Sequence, residues 1–213
     1  MPLLIVTGTG TSIGKTYAAH ILIVSAVRLG IRTLGWKPIE SGGTHDGDTL
    51  ERASSPGSTP LPRPYLLAQP LSAHLAARAE NRTIDIDVLR ATLLPVLQKR
   101  VLVILELPGG LFSPITDSVT NHEVALALHP DHVALVAPDR LGVLHDVGAA
   151  TRASTLRLDA IILSAPHQPD SSTGLNAREL PLVTDVPCIA TLERNVERLS
   201  AIDAFVKSLR PRP

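Results

Sequence analysis

Short runs of uninterrupted apolar residues alternate along the chain with longer stretches whose apolar positions recur at helical spacing. The runs are LLIVT (3–7), RTLGWK (32–37), VLVILE (101–106), HVALVAP (132–138), DAIILSA (159–165) and VPCIATL (186–192). Helical periodicity marks Lys15 to Leu29, Asp85 to Arg100, His122 to His129, Val143 to Leu158 and Val196 to Leu209. A strand with one wet face alternates apolar and polar residues. Continuous hydrophobicity instead predicts strands covered on both faces, in a doubly wound, mainly parallel α/β sheet with helices on each side.

From Ile39 to Pro70 the periodicity lapses and Gly, Ser and Pro accumulate, as in ESGGTHDGD and SSPGSTPLPRP. A segment of this kind within a compact domain predicts a functional loop or a disordered one. Pro95 falls inside a helical stretch and predicts a kink or a division there. The 213 residues show no break in composition, so residues 1–213 are read as one domain. Lys plus Arg total 20 and Asp plus Glu total 20, so no basic field marks nucleic acid as a partner, and small molecules are expected instead. The lone Cys188 excludes an internal disulfide and fits the cytoplasm, and no apolar run reaches membrane-spanning length.

In an open parallel sheet, ligands bind beyond the carboxyl ends of the strands. LLIVT leads into GTGTSIGKT, RTLGWK ends on Lys37, and VLVILE ends on Glu106. Gly8, Gly10 and Gly14 allow a loop whose N–H groups, with the following helix N-terminus, hold phosphate oxygens. Lys15 adds a point charge near the β and γ phosphates, and Thr16 a hydroxyl for Mg²⁺. The spacing has one residue more than the common Gly-x4-Gly-Lys-Thr form, with Thr9 where a glycine is expected. Beside that loop, Lys37 is a second cation for charge spreading over a transferring phosphoryl group. Mg²⁺ prefers oxygen ligands, and Thr16, Asp48 and Glu106 form a plausible set. Asp46 is the rival for Asp48, read otherwise as a turn residue beside Gly47. None of the eight histidines has a zinc-ligand spacing.

The elements GTGTSIGKT, GWKPIESG, LAQPLSAHLAA and LELPGGLFSPITD occur in an order and spacing that resemble the dethiobiotin synthetases, phosphate-loop NTPase-like enzymes in which the longer loop is normal. The resemblance covers the chain to about Asp146 and weakens afterwards. It implies an ATP-dependent carbon–nitrogen ligase of biotin biosynthesis acting on 7,8-diaminononanoate and CO2 or bicarbonate, with Mg²⁺, as a homodimer whose active site lies at or near the subunit interface. Nucleotide contacts are implied for Gly10, Thr11, Ser12, Ile13, Gly14, Lys15, Thr16, Tyr17, Glu106, Gly109 and Ser164, and the metal set Thr16, Asp48 and Glu106 is implied again. Lys37 and Ser41 would contact the diamine or its carbamate, and Lys37, Lys15 and Thr11 would serve catalysis. Gly142, Val143, Leu144 and His145 would receive the distal carboxylate of a substrate bound to the neighbouring subunit.

Four departures bear on those expectations. Ser12 stands where the family usually carries an acid, and Leu107 and Pro108 replace small residues before Gly109. Pro108 removes an amide donor and fixes φ close to the γ-phosphate position. Ser164 replaces an adenine-reading Asn, which both donates and accepts, by one rotatable hydroxyl. His145 also stands where Asn is frequent. A paralogue acting on another carbamate or carboxylate is the alternative reading, and a phosphate-loop ATPase switch is the other.

Overall fold

The computed structural model describes residues 2–193 and 200–209. Six strands form one parallel sheet: β1 (Leu3–Gly8), β2 (Thr33–Trp36), β5 (Leu102–Glu106), β6 (His132–Pro138), β7 (Ala160–Ser164) and β8 (Cys188–Leu192), in the order β2-β5-β1-β6-β7-β8. Every residue of β1 and β5 is buried, as continuous hydrophobicity requires. Leu3 and Ile5 pack on one face with Leu89, Leu93 and Val124, whereas Leu4 and Val6 pack on the other with Ala18, Leu22 and Ala134.

Helices cover both faces. One layer holds α1 (Lys15–Arg28), α2 (His45–Ala53) and α8 (Ser200–Ser208); residues 196–199 of the last expected helix lie outside the described residues. The opposite layer holds α3 (Ala73–Ala79), α4 (Ile86–Leu97) and α5 (Asn121–Leu128), and α6 (Val143–Ala153) covers the β6–β7 side. Reciprocal capping by Thr120 and Glu123 starts α5, and the Asp85 side chain caps α4.

Two expectations need correction. The segment from Ile39 to Pro70 is not wholly irregular, because β3 (Ile39–Ser41) and β4 (Tyr65–Leu67) pair in parallel around α2. Asp46, Gly47, Asp48 and Thr49 are weak helix formers, which masked α2 in the sequence. Burial of Leu50 stabilises that helix from outside it. Pro95 does not divide α4: it occupies the last turn on the solvent side, and Ala91, whose carbonyl loses its amide partner, is itself exposed. The short helix α3, built from an Ala-rich stretch, was not expected at all.

Close packing between α2 and β2 fixes the position of the Ile39–Pro70 insertion. A Cβ at Gly35 would stand 2.7 Å from the Leu50 carbonyl oxygen and 2.5 Å from Ile23 Cδ1. The first of these is backbone and cannot rotate away. Gly35→Ala is therefore expected to destabilise the protein by about 1–3 kcal/mol, read as a lower urea midpoint at unchanged slope. An unchanged midpoint would mean that α2 is not seated on the sheet as described.

Candidate active site

Strand register assembles the site. Trp36 is level with Leu105, so the next residues, Lys37 and Glu106, leave adjacent strands side by side. Glu106 is also level with Val6 on β1, two residues before Gly8 opens the glycine loop. Thr9 N–H donates to the Val136 carbonyl at 3.0 Å, and Gly14, at φ 87°, turns the chain into α1. Only glycine fits there on two counts: the left-handed φ, and Ser164 Oγ, 2.1 Å from where a Cβ would be. The Lys15 ammonium donates to the Gly10 carbonyl at 2.7 Å, so the loop's own backbone holds it.

Beside the loop is an ionic cluster in which Lys37 and Glu106 are buried and Asp46 is part-exposed. Lys37 Nζ lies 2.7 Å from Glu106 Oε1 and 2.6 Å from Asp46 Oδ2, and the Thr16 hydroxyl donates to Glu106 Oε1 at 3.1 Å and also bonds Asp46. Burial works against the Lys37 ammonium, but Glu106 and Asp46 outweigh it and hold its pKa above the ordinary value. Burial raises the Glu106 carboxyl against the pull of Lys37 and Lys15. Asp46 is held below its usual value: partial burial opposes this, and the Lys37 and Thr16 hydrogen bonds prevail. Burial lowers Lys15 to about 8, with Glu106 opposing and Lys37 adding to the shift.

Asp48, the acid expected beside the metal, is turned away. Its carboxylate takes Arg63 Nη2 at 2.5 Å and the Thr44 hydroxyl at 2.8 Å, and Asp46 occupies the cluster in its place. Successive helical residues are rotated by about 100°, so two acids two positions apart face different ways.

The loop and the cluster open into a cleft of about 560 Å³, lined by Thr11 to Thr16, Lys37, Glu40, Ser41, Asp46, Glu106, Pro108, Gly109 and the segments 70–73 and 113–115. Leu107 points into the core and leaves the cleft to its neighbours. Gly10, within the loop, does not line the cleft, Tyr17 packs with the α1 layer with its hydroxyl 3.2 Å from the Glu193 carbonyl, and Ser164 is buried against Gly14. Gly142, Val143 and Leu144 begin α6 outside this cleft. His145 lines a second hollow of about 530 Å³ together with Gly8, Thr9 and residues 110–114, and Ser113 and Pro114 border both spaces. Among the described residues no group of three or more His, Cys, Asp or Glu side chains is placed to hold a metal alone, so a cation here would share Thr16, phosphate oxygens or water.

Sequence reading missed Glu40, Arg63 and Asn121. Asn121 is fully buried, and its amide donates to the Pro108 carbonyl and, at 2.8 Å, to the Gly110 carbonyl, bracing the turn after β5. The capping signal at Thr120 marked a helix start, but the brace spans eleven to thirteen residues and has no local pattern.

The sequence pattern of a family described as an AAA domain matches residues 3–200. An ATP-dependent dethiobiotin synthetase of Anaeromyxobacter dehalogenans is 33% identical over 199 residues, covering 89% of this chain and 88% of its own. One of Corynebacterium glutamicum is 32% identical over 215 residues, covering 97% and 93%. Among solved structures, chloroplast FtsY of Physcomitrella patens is similar with a TM-score of 0.59 at 17% identity, over 99% of this chain and 65% of that one. The MinC:MinD cell division complex of Aquifex aeolicus gives 0.58 at 11% identity, over 96% and 86%. Both structures share the phosphate-loop NTPase fold with this chain.

The cluster makes two measurable demands. Lys37→Ala strands Glu106, whose side chain is 1% exposed, without its cation; a loss of roughly 3–5 kcal/mol is expected at about pH 8. Because the unpaired carboxyl has a raised pKa, its penalty applies above that pKa and lifts as Glu106 gains a proton, so part of the loss should return near pH 5. The double variant Lys37→Met with Glu106→Gln should exceed the single variant in urea midpoint at about pH 8. If it does not, the pair is not the source of the loss. Lys15 is charged in the empty site below about pH 8 and neutral above it, and phosphate oxygens favour the charged form. Calorimetric titration with ATP in buffers of different ionisation enthalpy should show uptake of most of one proton per site near pH 9 and little near pH 7. Buffer-independent heats at both pH values would contradict this assignment.

Proposed function

The chain belongs to the ATP-dependent dethiobiotin synthetase family, and on that footing we propose that it closes a ureido ring on 7,8-diaminononanoate and CO2, consuming ATP, in biotin biosynthesis. The observation that carries this reading is one cleft in which the glycine loop, Lys37, Ser41 and Glu106 converge. One amine adds to CO2 to give a carbamate, whose oxygen takes the γ-phosphoryl group from ATP. The second amine then attacks the carbamoyl carbon, the ring closes, and phosphate leaves.

The chain's part is alignment and charge. Loop N–H groups from Gly10 to Thr16 and the start of α1 take the phosphates, and Lys15 transfers its ammonium from the Gly10 carbonyl to them. Lys37 stabilises the charge that develops between carbamate and phosphoryl group. The Thr11 hydroxyl and the backbone near Gly109 position the carbamate. Ser41 Oγ donates to the Leu71 carbonyl at 2.6 Å, which leaves its lone pairs for a substrate amine. Asp46 and Glu106 are both bound to Lys37, so neither is free as a base; the second amine must arrive neutral, and the proton it sheds on ring closure leaves to the departing phosphate or to water.

A Mg²⁺ ion fits this donor set. Glu106 Oε2 is buried and has no hydrogen-bond partner, and with the Thr16 hydroxyl and Asp46 it offers oxygen ligands of the kind the ion prefers. When bound with ATP, the ion would offset charge on the β and γ phosphates.

The reading includes a homodimer in the cytoplasm. Gly142, Val143, Leu144 and His145 of a second copy would receive the distal carboxylate of the substrate at the start of α6, where first-turn N–H groups and the helix dipole favour an anion. Exposed Leu141 and Phe112 flank that helix start and the second hollow. Burial of Ser164 against Gly14 favours one variation, a relaxed choice of nucleobase.

The deciding experiment is phosphate release from purified protein with ATP, Mg²⁺ and bicarbonate, with and without 7,8-diaminononanoate. Release is expected to require the diamine. Release that ignores it would indicate an ATPase switch, and no release under any condition would indicate a paralogue with another carbamate or carboxylate substrate.

A further inference from the structure

The first turn of α2 has no side-chain cap of its own. Thr44 precedes the helix, but its hydroxyl donates to Asp48. The orphan amides are taken instead by a carboxylate from β3: Glu40 Oε1 accepts from Asp46 N–H at 2.9 Å and Oε2 from Gly47 N–H at 3.0 Å. An acid at a helix N-terminus is favoured both by those donors and by the dipole. Glu40 is 5% exposed, so this contact is shielded from water and salt.

Arg63 completes the arrangement. It reaches the Thr44 carbonyl at 3.2 Å, Glu40 at 3.6 Å and Asp48 at 2.5 Å. Gly47 leaves room for both groups, since a Cβ there would stand 2.8 Å from Glu40 Oε2 and 2.2 Å from Arg63 Nη1. With Glu40 fixing the rotation of the first turn and Arg63 holding Asp48, only Asp46 is left to face Lys37 and Thr16.

We propose that Glu40 is a positioning residue: through the first turn of α2 it decides which acid of the pair Asp46 and Asp48 enters the cation site, while Arg63 keeps the other out. This rests on reading the cleft as a phosphate and cation site. Glu40 borders the cleft, but both its carboxylate oxygens are taken by the Asp46 and Gly47 amides. Its effect is transmitted by the seating of a helix start: residues two positions apart lie about 200° apart around the axis, so only one of Asp46 and Asp48 faces the cleft in a given seating.

The test measures binding of Mn²⁺ by electron paramagnetic resonance, with a non-hydrolysable ATP analogue present. In the parent chain, Asp46→Asn is expected to weaken Mn²⁺ binding about tenfold or more and Asp48→Asn less than twofold. With Glu40→Ala also present, the two asparagine variants should come within about threefold of each other. Glu40→Gln keeps one of the two acceptors and should fall between; it carries the comparison if Glu40→Ala does not fold. A general loss of stability would lower both affinities and preserve the gap. A gap as wide in the Glu40 variants as in the parent overturns the proposal, and so does a parent chain in which Asp48→Asn is the damaging change. A parent chain that binds no Mn²⁺ with the analogue removes the phosphate and cation reading and this inference with it. Diamine-independent phosphate release alongside the expected Mn²⁺ pattern would remove only the assigned reaction.

Discussion

The ion pair between Lys37 and Glu106 is the constraint around which the site is built. Both charges leave the carboxyl ends of adjacent strands, with the Glu106 side chain 1% and the Lys37 side chain 7% exposed. Removing two charges from water is expensive, and replacing such a pair by apolar groups is often neutral or stabilising. Stability alone is therefore a weak reason for the pair to exist. Its position beside a phosphate-binding loop supplies a better one. The pair keeps a cation and an anion buried at the edge of the cleft that the glycine loop borders.

Everything nearby fixes the geometry of that pair from a different direction. β5 lies between β2 and β1, so Glu106 is flanked by Lys37 on one side and by the root of the glycine loop on the other. The turn after β5 is tied to β1 by Leu107 N–H to the Val6 carbonyl at 3.1 Å and Leu111 N–H to the Gly8 carbonyl at 2.7 Å. Asn121 holds the same turn from behind. The loss of a donor at Pro108 is thus met by a turn whose carbonyls are already engaged, and its backbone is set by α5 as much as by its own residues.

The insertion between Ile39 and Pro70 works by similar logic with less regular material. α2 is short and poor in helix formers, yet it is held by Leu50 against the sheet, by Glu40 at its start and by Arg63 across its first turn. Trp36, the residue before Lys37, donates its indole N–H to the Pro62 carbonyl at 2.8 Å, joining the strand end to the residue beside Arg63. Nearly all of these contacts link residues distant in sequence. That explains how a segment with no periodicity can deliver an aspartate to within 2.6 Å of a lysine.

The layered parallel fold was legible in the sequence because strands buried on both faces must be apolar throughout, and that requirement is written into consecutive residues. The glycine loop was legible for a related reason: its Gly and Lys residues answer a local backbone need. So were Lys37 and Glu106 as strand-end groups, since each follows directly on its apolar run. Which strands lie side by side is not a local property, and it alone makes those two residues neighbours. The choice of Asp46 over Asp48, the brace from Asn121, the external cap from Glu40 and the burial of Ser164 under Gly14 all depend on helix rotation or strand order. Only the folded chain decides these, because each joins residues that no short-range pattern relates.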